Sequence, residues 1–257
     1  MKISDAHLHL YPEPILEKEA AISNEPVDDL LGLLSRKLTK NGIGQGVVYL
    51  LDPKILSMEF KLPDNIILAS AINRNNYLSD LEKASLKGIK IIKILPYDEK
   101  ITKEIYPKIV EIAKTIKEKK MVLSICSTYG SKLLYETNGV ELAAKIKSEV
   151  DLPIILAHGG GPKIFDSMTM ALEYEDVFLD LSFSLKYWQG SSVIRDYAFA
   201  IKKLEGNRCF YGSDYPYVNF NESIDCFLEF MNEYKFSKKY RDRILCTNFE
   251  EFRKVYL

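Results

Sequence analysis

Short β-branched runs alternate with Lys- and Glu-rich stretches carrying spaced Leu, Ile and Ala, and this alternation limits the fold more than any other feature of the chain. Strand-like runs occupy residues 2–6, 46–50, 66–72, 89–94, 121–125, 153–157, 177–181 and 208–211. Helical periodicity fills 28–40, 78–87, 102–119, 140–149, 164–174 and 193–204, with 53–60 a short or irregular helix after the second strand. Strands separated by helices predict a parallel sheet with right-handed crossovers. Closure into a (β/α)8 TIM barrel is the simplest arrangement, and 257 residues suit one such domain spanning 1–257. An open doubly wound sheet is the competitor. The absence of a Gly-rich fingerprint after the first strand weakens it. Residues 237–257 read as one or two helices packing on the outside.

In a closed barrel, polar chemistry collects at the C-terminal ends of the strands. The notable residues fall there: His7 and His9, Arg74, Lys93, Cys126, His158, Asp180 and Ser182, and Asp214. Closure turns scattered positions into one mouth. Strand alternation places Val122, Ser124 and Cys126 on one face, Ile154, Leu156 and His158 on another, and Phe210, Gly212 and Asp214 on a third.

The chain has only three histidines. His7 and His9 sit at i and i+2, so an extended strand aims both imidazoles the same way, as a divalent metal requires. Asp214 adds a carboxylate, though it could equally cap a helix N-terminus. His158 precedes Gly159-Gly-Gly161, which permits positive φ and close backbone approach. Lys93 reads as a substrate-carboxylate contact, a carbamylated bridging ligand for two metals, or a lysine snorkelling from the mouth. Arg74 is a candidate for bidentate carboxylate recognition. Asp5 shares the histidine face at greater depth, where it would orient the ligands. Tyr11, Tyr215 and Trp188 are either pocket-lining or packing residues.

Composition excludes several classes. The formal net charge is −1, which gives no basic stripe for nucleic acid and no polybasic membrane patch. Lys-rich segments such as 114–120 are mixed with Glu and read as solvated helix faces. The longest apolar stretches are strand-sized, well short of a membrane span. No secretory signal and no disulfide framework among Cys126, Cys209, Cys226 and Cys246 are evident, so a cytoplasmic location is expected.

Taken in order, Asp5-Ala-His7-Leu-His9, Lys90-Ile-Ile-Lys93-Ile-Leu-Pro96, Leu156-Ala-His158-Gly-Gly160, Phe178-Leu-Asp180-Leu-Ser182, Tyr211-Gly-Ser-Asp214-Tyr-Pro216 and Arg243-Ile-Leu-Cys-Thr-Asn248 resemble the amidohydrolase superfamily, in its amidohydrolase-2 branch. The resemblance covers nearly the whole chain. It implies a metal-dependent barrel enzyme in which His7, His9 and Asp214 bind a divalent metal, zinc being favoured. His158 would bind metal or act as acid/base. The family's metal-binding histidine at the end of the fifth strand falls on Cys126, which either supplies a thiolate ligand or marks a site with altered affinity.

The resemblance implies a hydrolase acting on a small carboxylate-bearing amide, lactone or ester. The metal lowers the pKa of water, and Asp214 and His158 share the proton transfers. Non-oxidative decarboxylation on the same scaffold is the alternative, and a non-catalytic barrel that has lost its metal site is a third reading. A small-molecule substrate is the expected partner, with no nucleic acid or membrane, and the resemblance allows a homodimer.

Overall fold

The computed structural model describes residues 2–10, 26–128 and 136–257. Its strands are β1 (Ile3–His9), β2 (Ile43–Leu50), β3 (Ile66–Ala71), β4 (Ile91–Ile94), β5 (Val122–Cys126), β6 (Ile154–Ala157), β7 (Val177–Asp180) and β8 (Cys209–Phe210). The α-helices are α1 (Val27–Lys40), α2 (Tyr77–Leu86), α3 (Tyr106–Glu118), α4 (Gly139–Lys147), α5 (Ile164–Glu173), α6 (Ser184–Tyr187), α7 (Val193–Lys203), α8 (Phe220–Glu233), α9 (Lys238–Asp242) and α10 (Asn248–Tyr256). The strands pair in chain order, every neighbour parallel. Backbone bonds close the ring: Ala6 N donates to Tyr211 O at 2.8 Å, Asp214 N to His7 O at 2.8 Å and His9 N to Tyr215 O at 2.7 Å. The protein is therefore the (β/α)8 barrel that the alternation predicts.

The helices form where the periodicity places them. In α1, Val27, Leu30, Leu31, Leu34 and Leu38 make one buried stripe. Asp28 and Asp29 in its first turn and Lys37 and Lys40 in its last complement the helix dipole. Asn138 caps α4, its side chain accepting from Val140 N and Glu141 N. Asn138→Ala is expected to cost about 1 kcal/mol in thermal or urea unfolding, the usual loss of such a cap.

Two apolar layers result. One lies between strands and helices. The other fills the barrel with Ala6, Val47, Tyr49, Ala69, Ile91, Val122, Ile155, Phe178 and Phe210. Small alanines leave room for the large rings, and the Phe178 and Phe210 rings stack at 5.3 Å. The expectation for residues 237–257 needs correction. Phe249 and Phe252 of α10 join the interior layer and contact Phe178 and Phe210, so the last helix plugs the barrel end opposite the site. A π-helical turn, Arg243–Thr247, leads into it, and Asn248 Nδ2 donates to Gly206 O and Cys209 O.

β6 brings a second correction. Ile155 faces the interior, whereas Ile154 and Leu156 pack against the helices, so they do not share a face with His158. The strand stops at Ala157, and His158 adopts φ 64°. That left-handed residue breaks the alternation. In β5 the expected face holds: Val122 lies inside, and Leu123 and Ile125 lie outside. Among the described residues, no helix is long and apolar enough to cross a membrane.

Candidate active site

β1 extends through both histidines, so His7 and His9 project from the strand itself. Their rings are 5.0 Å apart. Asp214 arrives from the turn after β8. Its Oδ1 lies 3.1 Å from His9 Nε2 and 3.7 Å from His7 Nε2. These three buried groups offer ligand atoms within 4.8 Å of one another. Two imidazole nitrogens and one carboxylate oxygen suit zinc and similar divalent ions.

The electrostatics agree with a cation between them. Burial first, then the positive charge of Lys93, holds His7 well below the ordinary histidine range, so its imidazole is neutral. Burial opposes the charge of Asp214. The His9 hydrogen bond and the charges of His158, His9 and His7 overcome it and keep the carboxyl well below its usual range. A neutral nitrogen donor beside an ionised carboxylate is the protonation state a metal needs.

Backbone geometry supplies part of the precision. His158 and Asp214 both sit at positive φ, 64° and 60°, and so does Phe183 at 62°. Such conformations are costly for non-glycine residues and persist where surrounding contacts hold them. The His158 carbonyl accepts from Tyr197 OH at 2.8 Å and Ser184 Oγ at 2.7 Å. Gly159, Gly160 and Gly161 continue in positive φ. Gly160 N donates to Ser127 Oγ, which fastens the glycine turn to the end of β5.

His158 stacks on His7 with centroids 4.9 Å apart. Burial would lower its pKa, but the Cys126 contact and the Asp214 charge dominate and raise it to about 9. Cys126 is half-buried at the end of β5. Burial opposes its ionisation, yet His158 and Lys93 bring the thiol below its ordinary value. Among the described residues, the close groups of potential ligand atoms are His7–His9–Asp214 and His7–His158–Asp180; Cys126 belongs to neither. The thiol faces His158 instead.

Lys93 is fully buried at the end of β4. Its Nζ lies 3.4 Å from His7 Nε2 and 4.4 Å from the Tyr49 ring centroid. Burial lowers its pKa, and the charges of Cys126, Asp180 and Asp214 work against that burial. Arg74, by contrast, donates to the Glu99 carbonyl and ties the loop after β3 to the loop after β4. Asp5 also differs from expectation. Its Oδ1 accepts from His7 N at 3.1 Å and Ser213 N at 2.9 Å, so it joins the backbones of β1 and the β8 turn and does not orient a ligand ring. Burial raises its pKa to about 7. Tyr215 stacks on Phe220, and its hydroxyl accepts from Lys37. Trp188 packs edge-on to Tyr187. Tyr11 lies outside the described residues.

One contributor, Tyr49, was missed in the sequence, and another, Asp180, was placed at the mouth without its role. Tyr49 forms the floor under His7, ring centroids 4.2 Å apart, and its hydroxyl donates to Ser124 Oγ. Its place beside Val47 on the inner face of β2 was the available signal. Asp180 hydrogen-bonds His7 Nδ1 from two strands away in the ring. Its position at the end of β7 was visible, but its partner was not.

A sequence model of the amidohydrolase family matches residues 78–252. The chain belongs to the amidohydrolase family. That family makes this protein an enzyme of the metal-dependent hydrolase class. A search of curated proteins finds no match. Solved structures share the barrel at low identity. An uncharacterised TIM-barrel protein from Bordetella bronchiseptica has a TM-score of 0.73 and 16% identity, with 99% of each chain covered. A probable 2-pyrone-4,6-dicarboxylic acid hydrolase from Acinetobacter baumannii has 0.68 and 15%, with 98% of each chain covered. The 5-carboxyvanillate decarboxylase of Sphingomonas paucimobilis has 0.62 and 11%, covering 99% of this chain and 98% of its own. At such identities these likenesses speak for the fold alone.

Proposed function

We propose that this amidohydrolase uses a single divalent metal, zinc in first place, to hydrolyse a small carboxylate-bearing amide, lactone or ester. The observation that carries the reading is the convergence of His7 Nε2, His9 Nε2 and Asp214 Oδ1. A metal held there supplies Lewis acidity, which polarises a carbonyl and lowers the pKa of water. Asp214, ionised and beside both histidines, takes up the proton that the attacking water loses. His158, still protonated at neutral pH, delivers a proton to the leaving group. Lys93 faces the same centre and binds a substrate carboxylate or developing negative charge. Cys126 is the candidate for an additional ligand once the site is loaded, through the thiol that His158 and Lys93 already favour as thiolate.

Decarboxylation is the second reading. It needs an acid that protonates the carbon from which carbon dioxide departs, and a buried imidazolium at His158 supplies one. The structural likeness to 5-carboxyvanillate decarboxylase is compatible with it. Lactones, amides and aromatic acids assayed side by side separate the two readings by their products.

Metal content tests both. Elemental analysis of protein purified without chelator should find about one metal per chain, lost in the His7→Ala/His9→Ala double variant. A protein that takes up no zinc, manganese or iron after reconstitution would rule out the mechanism.

The pH profile is a second prediction. The His158 pKa is raised from 6.5 to about 9, so the acid form persists through neutrality. Activity should fall as pH rises through about 9, and His158→Gln should remove that limb. The same raised pKa contributes stability that is complete below about pH 6.5 and lost as pH approaches 9. Melting temperatures of wild type and His158→Gln should therefore converge across that window.

A further inference from the structure

We propose that Asp180 is a positioning residue for His7 and that Ser182 extends the same clamp to His158, so the end of β7 orients both imidazoles together. The inference deepens the functional reading above and rests on it for its consequence.

Asp180 is fully buried, and its two oxygens have separate duties. Oδ1 accepts from Ser182 N at 2.8 Å, and Oδ2 meets His7 Nδ1. With Oδ1 accepting the Ser182 N–H, Oδ2 serves as the acceptor toward the ring, and the shared proton belongs to His7 Nδ1. His7 Nε2 is then unprotonated, and that is the nitrogen turned toward Asp214 and Lys93. Asp180 thus selects the tautomer that leaves a lone pair at the centre of the site.

Ser182 carries the arrangement to the second ring. Its hydroxyl lies 3.2 Å from His7 Nδ1 and 3.1 Å from His158 Nδ1. Its carbonyl lies 3.1 Å from His158 Nδ1, which donates to it. Both Nδ1 edges therefore face one strand end, and the stacked rings are held 28° from parallel. Asp180, His7 and His158 also approach closely enough to form a cation set. The proton on His7 Nδ1 occupies that approach, and the group is a hydrogen-bonded support.

The test uses the small histidine count. Long-range proton–nitrogen NMR of metal-free protein reads the tautomer of each of three imidazoles. Wild type should show His7 as the Nδ1–H form. Asp180→Asn should convert His7 to a mixture or to the Nε2–H form. It should also weaken cobalt(II) binding by about 10–100-fold, the usual effect of losing an outer partner. Ser182→Ala removes one buried hydroxyl and little volume. It should shift His7 and His158 resonances while leaving His9 in place. Unchanged His7 and His158 resonances in both variants would overturn the clamp. The tautomer is measured without metal, so a wild type that binds no cobalt would defeat the functional reading while the NMR still decides the clamp.

Discussion

Replacing Asp214 by asparagine should lower kcat/KM by about 10²–10⁴-fold, the range associated with loss of a positioned acid or base. Asparagine nearly preserves shape but removes the negative charge and the basicity. Asp214 Oδ1 lies 3.1 Å from His9 Nε2, and its charge is among the causes that raise the His158 pKa. The substitution should therefore have a second signature, a downward shift of the alkaline limb from about 9. Both readouts come from one set of rate-against-pH curves on any lactone, amide or ester the enzyme turns over. A variant within tenfold of wild type, with its limb in place, would show that Asp214 is not the proton acceptor.

Gly212→Ala should damage the site from outside its ligand set. The backbone there is not left-handed, so the constraint is one of space. A Cβ would lie 2.8 Å from Ser182 Cβ, 2.9 Å from Asp180 Oδ1 and 3.0 Å from His7 Cβ. None of these is the free end of a flexible chain: two are Cβ atoms and the third is a carboxylate oxygen already hydrogen-bonded. Overpacking of this kind costs about 1–3 kcal/mol. Relief requires β7 or β1 to move, and either movement separates Asp180 from His7. The expected result is a lower melting temperature together with loss of tight metal binding. Wild-type cobalt affinity in a folded Gly212→Ala protein would show that the contact between β8 and the β7 clamp has slack.

Much of the architecture was legible because its signals are periodic and local. Apolar spacing marks a helix such as α1 through residues three and four apart, whatever lies across the barrel. The i, i+2 spacing of His7 and His9 likewise carries its geometry within one strand. Where local periodicity ends, reading from the sequence fails. His158 departs from the face assigned to β6 because one left-handed residue interrupts the alternation, and the hydroxyls that hold it come from Ser184 and Tyr197. The two phenylalanines of α10 look like an ordinary amphipathic pattern, yet they fill the end of the barrel, since an open end there would leave Phe178 and Phe210 in water.

The sequence by itself determined the eightfold alternation, the family motifs and the strand ends at which polar residues gather. Tertiary structure alone decided which of those residues meet. His7 and Asp180 are 173 positions apart, and His9 and Asp214 are 205 apart. Closure of the ring sets both contacts. It also turns Cys126 toward His158, Asp5 onto two backbones and Arg74 toward a neighbouring loop. The physical reason is that spacing along a chain fixes direction only within one element. Partners on different strands are fixed by register, barrel closure and the few left-handed residues that turn side chains into the mouth.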